Sequence, residues 1–75
     1  MEVNKTQALL YTFETLLNKR KITKNDVLNQ ITISDLTFRR YIQELRAYLL
    51  NFNEPYEIVY NRKNDEYYLE DITFK

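Results

Sequence analysis

The side chains best suited to chemistry in this chain are arginines and carboxylates. Arg39 and Arg40 are adjacent, and Gln43 follows one helical turn later. Arg can donate two hydrogen bonds to O6 and N7 of guanine, and Gln can make the equivalent pair with adenine, so this grouping suits base edges. Ser34 and Thr37 stand just before it, with hydroxyls able to reach phosphate oxygens, and Asp35 and Leu36 lie between them. Arg62 and Lys63 make a second basic point placed for backbone or minor-groove contact. Two acidic pairs, Asp65-Glu66 and Glu70-Asp71, have the composition of acid–base or metal pairs. The chain contains no His, no Cys and no Gly. It therefore lacks the commonest general base and metal ligand, any thiolate and any Gly-rich phosphate loop. No pocket-forming sequence accompanies the acids, so the expectation is no enzyme activity, no cofactor and no metal site.

Those residues need elements to hold them. Leu9, Leu10, Phe13, Leu16 and Leu17 repeat at three- and four-residue spacing and predict a first helix over about residues 4–20, capped by Asn4 or Thr6. The cluster Lys19-Arg20-Lys21 suits its negative end. Ile22-Thr23 is a β-prone interruption. The sequence T-K-N-D from Thr23 to Asp26 is a shortened capping box, predicting a short helix over about 24–30 with Val27, Leu28 and Ile31 buried. Ser34 caps a third helix over about 35–51. At 100° per residue Phe38, Ile42, Leu45, Leu49 and Phe52 share one narrow arc facing the core, with Leu36, Arg39, Arg40, Gln43 and Ala47 opposite. Pro55 stops that helix. Alternation over Tyr56–Asn61, a polar turn and the aromatic run to Leu69 predict a β-hairpin over about 56–70. The expected core is Phe13, Leu17, Leu28, Ile31, Phe38, Ile42, Leu45, Leu49, Ile58 and Leu69.

Seventy-five residues, 44% of them apolar, make one small domain with one core. Seven Tyr and four Phe supply bulk for it. With no Cys, no leader and no apolar run of membrane length, the expectation is a soluble, cytoplasmic protein with no membrane partner. Eleven basic and eleven acidic residues cancel, but unevenly. Residues 1–50 hold eight Lys/Arg against five Asp/Glu, a balance of +3, and residues 51–75 hold three against six, a balance of −3. The basic half lies in the helices, and Glu54, Glu57, Glu66, Glu70 and Asp71 are expected on the opposite side.

Helix, short strand, helix, turn, helix, hairpin is the order of a winged helix-turn-helix: a mainly α fold of three helices with a small β-hairpin. The segment Thr23–Leu45, T-K-N-D-V-L-N-Q-I-T-I-S-D-L-T-F-R-R-Y-I-Q-E-L, resembles the helix-turn-helix of bacterial regulators of the deoxyribose-operon-repressor (DeoR) type. It is also similar to the N-terminal domains that precede WYL ligand-sensing domains. Those families run leucine-glycine-valine-serine, two variable residues, threonine, an apolar residue and paired basic residues. Here Ile31-Thr32-Ile33-Ser34 is followed by Asp35-Leu36, Thr37, Phe38, Arg39 and Arg40. Thr32 replaces the turn glycine, and Asp35 puts a carboxylate at the helix end expected to face phosphates. The resemblance spans roughly residues 5–70. It implies sequence-specific binding of double-stranded DNA by a bacterial or phage transcriptional regulator, or by its N-terminal module. Signal sensing would then come from a C-terminal effector domain or a partner protein. The implied contact set is Ser34, Asp35, Leu36, Thr37, Arg39, Arg40, Gln43, Arg62 and Lys63. A rival expectation is a protein–protein interaction module on the same fold. A homodimer through Tyr11 of helix one or the apolar end Ile72-Thr73-Phe74 is also expected.

Overall fold

Asn4 opens helix α1 (Lys5–Lys19): its Oδ1 accepts the Gln7 N–H at 2.8 Å, satisfying one of the first-turn donors. The computed structural model describes residues 3–72, so the expected contacts of Thr73 and Phe74 lie outside the described residues. α1 ends at Arg20, which adopts the left-handed conformation (φ 65°) usually left to glycine. Its carbonyl then accepts the Leu69 N–H at 2.9 Å, and its guanidinium reaches Asp71 at 2.6 Å and lies 5.4 Å from the centre of the Tyr56 ring. These contacts hold the chain where it leaves the helix for strand β1 (Lys21–Thr23). The Asp71 hydrogen bond, with the carboxylate's charge, raises the Arg20 pKa above its ordinary value.

Thr23 closes β1 and caps α2 (Lys24–Leu28) at once. Its Oγ1 accepts the Asp26 N–H at 3.2 Å, and Asp26 Oδ2 accepts the Thr23 N–H at 2.9 Å. The capping box read from T-K-N-D is present. α2 stops at Leu28, two residues before the expected end, and the chain turns through residues 29–34 with no left-handed residue. Thr32, set in the sequence where a turn glycine was expected, thus occupies a position that needs no positive φ. Helix α3 (Asp35–Asn51) begins under Ser34, whose Oγ accepts the Thr37 N–H at 3.1 Å. It closes in a Schellman motif, with the Glu54 N–H on Leu49 O (2.9 Å), the Asn53 N–H on Leu50 O (3.3 Å) and Asn53 left-handed at φ 53°.

Strands β2 (Tyr56–Asn61) and β3 (Glu66–Asp71) form the expected hairpin, with Ile58 opposite Leu69 and Tyr60 opposite Tyr67. Asp65 takes the left-handed place at its turn (φ 51°). β1 adds to the other side of β3, Ile22 opposite Tyr67, giving an antiparallel sheet of order β1-β3-β2. The architecture is thus mixed rather than mainly α: the expected short strand joins the hairpin, giving three helices on a three-stranded sheet. The lone strand of three residues could not stand alone; pairing with β3 satisfies its backbone.

Ile22, Ile58 and Leu69 point from the sheet into a core shared with Val27, Ile31, Phe38, Ile42, Leu45 and Leu49. Three expected core residues differ. Leu17 is exposed, Phe13 is partly buried, and Leu28, at the last position of α2, is half-buried. The line of α1 that enters the core is Ala8, Thr12 and Leu16. Ala8 and Thr12 are small enough for the helix to approach its neighbours closely, and Thr12 Oγ1 satisfies itself on Ala8 O at 2.8 Å. Counting large apolar residues centred the stripe too far toward Leu10 and Leu17. Phe52 also leaves its projected arc: it is the C-cap, beyond helical geometry, and 66% exposed. Tyr41, which the arc left out, is buried instead, beside the Lys5–Glu44 ion pair of 3.1 Å. Tyr11 is half-buried against the core, not an exposed contact residue.

Candidate nucleic-acid interface

The face of α3 opposite Phe38 and Ile42 carries Leu36, Arg39, Arg40, Gln43 and Ala47, all exposed as their periodicity requires. The adjacent arginines diverge from this ridge. Arg39 turns toward the hairpin and lines, with Lys24, Phe38, Tyr60, Asp65 and Tyr67, a cleft of about 280 Å³ between α3 and the strands. Arg40 turns the other way and shares a shallow surface with Thr37, Gln43 and Lys5. The pair therefore addresses two sides of whatever meets the helix.

The start of α3 is already partly self-satisfied. Ser34 Oγ takes the Thr37 N–H and donates to Thr37 Oγ1 at 3.0 Å. Both hydroxyls are thereby oriented by one another. Asp35, exposed in the first turn, is met by Lys24 from the first turn of α2, Nζ to Oδ2 at 2.9 Å. The carboxylate expected at a phosphate-facing helix end thus comes with its own counter-charge. Lys24 is the residue that sequence reasoning missed. It lies inside the capping box, 11 positions from Asp35, and only the turn between the two helices brings them together.

Arg62 and Lys63 are exposed on the turn that joins β2 to β3, as expected. Asn61 Oδ1 accepts the Lys63 N–H at 3.0 Å, fixing the entry to that turn. Tyr60 O–H donates to Asp65 Oδ1 at 2.7 Å across it. This hydrogen bond, aided by partial desolvation and the Asp65 charge, holds the Tyr60 phenol above its ordinary pKa, while Arg39 pulls weakly the other way. The third arginine of α3 is not on the ridge. Arg46 Nε donates to Ile58 O at 3.2 Å and its guanidinium lies 5.8 Å from the Tyr67 ring centre, so it fastens α3 to the sheet.

The acidic residues sort by sheet face. Glu57, Glu66 and Glu70 lie on the face that Ile58, Tyr67 and Leu69 do not use, turned from the helices, with Glu57 directly opposite Glu70. Asp71 is on the helix side, occupied by Arg20. Among the described residues no group of three carboxylates converges as a metal site would require, and no helix is long and apolar enough to cross a membrane. No protein-family profile, curated protein or solved structure matches the chain.

Proposed function

We propose that this chain is a winged helix-turn-helix that binds double-stranded DNA sequence-specifically, as a transcriptional regulator or as the DNA-binding module of one. The observation that carries the reading is the outward ridge of α3. It presents Arg39, Arg40 and Gln43 on a helix whose opposite side is anchored in the core, with Arg39 facing Tyr60 and Asp65 of the hairpin whose turn carries the exposed Arg62 and Lys63. A major groove admits one helix, and a rigid helix with exposed Arg and Gln supplies the hydrogen bonds that distinguish guanine and adenine there. α3 is the recognition helix in this reading and the β2–β3 hairpin the wing. Ser34, Thr37 and the first backbone N–H groups of α3 meet phosphate, while Asp35 is neutralised by Lys24. Arg62 and Lys63 meet backbone. Net neutrality and the acidic outer sheet face keep binding to random DNA weak.

A second reading, a protein-interaction module, is favoured by one observation: Leu36 and Tyr60, both near the ridge, are 56% and 42% exposed. Selection of bound duplexes from a random pool separates the two. Enrichment of a defined site supports DNA binding, and its Leu36 would then rest on a thymine methyl. No enrichment by folded protein leaves the second reading.

A further inference from the structure

α1 is apolar over a wider arc than its own fold buries. Ala8, Thr12 and Leu16 face the core, yet Leu10 is 63% exposed and Leu17 38%, with half-buried Phe13 between them. Leu10, Phe13 and Leu17 recur at i, i+3 and i+7, the spacing of a helix-packing seam. α3 lays a second apolar row beside it. Tyr48 meets Phe13 edge-on with ring centres 5.8 Å apart, and the C-cap Phe52 lies against Tyr48 at 4.9 Å. Between the rows runs an open groove of about 440 Å³ floored by Leu9, Leu45 and Phe13. Aromatic side chains each cover about 150–250 Å² when buried, so leaving Tyr48 and Phe52 in water forgoes much of the apolar burial that a chain this small has to offer.

We propose that this α1/α3 face docks a second copy of the same chain, seam against groove, about a two-fold axis. A stable interface takes about 800 Å² from each partner. That is roughly one-seventh of the 5615 Å² the chain exposes, within the reach of a two-helix face. A two-fold contact must be self-complementary, and this face carries both a ridge, Leu10 and Leu17, and a groove able to receive one. Charge permits it as well. The chain is formally neutral, so two copies do not repel overall, and the ion pair Lys5–Glu44 closes off the charges at one end of the groove. Leu36 and Arg39 lie on another side of α3, and Arg40 and Gln43 border this face only at its Lys5–Glu44 end, outside the residues that line the groove. The proposal therefore stands apart from DNA binding, and failure of either leaves the other intact.

Sedimentation equilibrium of the full chain, from low micromolar to near-millimolar, tests it. The expected result is a reversible dimer that Leu10→Glu weakens by at least about a hundredfold, since the two-fold repeats each lesion. Leu50→Glu, on the outer side of α3 where Leu50 is 78% exposed, should change the constant by less than about twofold, as surface changes away from packed features do. Circular dichroism and melting of dilute samples verify that each variant folds. Should Leu10→Glu fail to fold, Phe52→Lys at the exposed C-cap takes its place. A wild-type chain that stays monomeric at near-millimolar concentration overturns the proposal. So does a dimer indifferent to these face variants, or one that Leu50→Glu weakens equally.

Discussion

Lys24 Nζ lies 2.9 Å from Asp35 Oδ2 and ties the first residue of α2 to the first residue of α3. Both side chains are more than one-third exposed, so the pair contributes at most about 1 kcal/mol to stability. In the proposed DNA-binding reading the pair also sets the charge that the tip of α3 shows to a phosphate. Asp35→Asn should tighten DNA binding several-fold while lowering the melting temperature slightly, since Asp35 also favours the positive end of the helix, worth about 0.3–1 kcal/mol. Lys24→Ala should weaken binding, and less so in the Asp35→Asn background. Fluorescence titrations of the four proteins check this coupling; equal losses in both backgrounds would remove it.

Phe38 and Leu17 separate the core that forms from the stripe the sequence suggests. Phe38 is 1% exposed and edge-on to Tyr67 with centres 5.8 Å apart. Phe38→Ala should cost about 3–5 kcal/mol, a large share of what a domain of this size possesses. Leu17→Ala, at a position 38% exposed, should cost about 1–2 kcal/mol in dilute solution, clearly less than Phe38→Ala. Urea denaturation of both variants measures the difference. Comparable losses would place Leu17 in the core after all.

The elements were legible because their signals are local. Thr23 with Asp26, Ser34 and the alternation after Pro55 each act within a few residues and work as read, whereas α3 already ends in its Schellman motif before Pro55. The arc of α3 was legible for the same reason, until Phe52 left helical geometry. What was not legible depends on residues far apart or on small side chains. The short strand at Ile22-Thr23 was legible but its pairing with β3 was not, the Lys24–Asp35 pair needs a turn between helices, and the buried line of α1 runs through Ala8 and Thr12, which hydrophobic patterning ignores. At the candidate interface, exposure followed from periodicity, but the divergence of Arg39 and Arg40 required the hairpin's position.

Asn53 completes the Schellman motif of α3 in a chain that has no glycine to offer. A β-branched residue in the left-handed region costs roughly 1–2 kcal/mol, whereas glycine adopts it freely. Asn53→Val should therefore destabilise the protein by about that amount, and Asn53→Gly should be neutral or slightly stabilising. Thermal melts decide the order; Val equal to Gly would show that the cap can be abandoned without cost.

Tyr60 and Asp65 make the hairpin turn sensitive to alkali. The phenol's pKa is raised in the folded chain, first by its hydrogen bond to Asp65. Between the unfolded and folded values the native state holds the extra proton, so stability is full below the unfolded value and falls as pH rises through the folded one. The phenolate absorbance of wild-type protein should contain one component titrating above the ordinary tyrosine range, absent in Tyr60→Phe. Asp65→Asn should move that component down. If Asp65→Asn leaves it in place, the hydrogen bond is not its cause.

In the proposed DNA-binding reading, Arg40 and Lys63 distinguish base reading from backbone holding. Arg40 stands on the ridge of α3, and Lys63 on the β2–β3 turn, where its backbone is fixed by Asn61. A guanidinium on a base edge discriminates, so Arg40→Ala should cost about 1–3 kcal/mol on the preferred duplex and relax preference at one base position. An ammonium on phosphate does not discriminate. Lys63→Ala should weaken preferred and random duplexes alike and reduce the salt dependence by about one released ion. Neither side chain enters the core, so both variants should melt as wild type does. Binding isotherms at several salt concentrations, on both duplexes, give the slopes. Folded variants that bind as tightly as wild type would take α3 and the hairpin turn out of contact with DNA and leave the protein-interaction reading in possession of this surface.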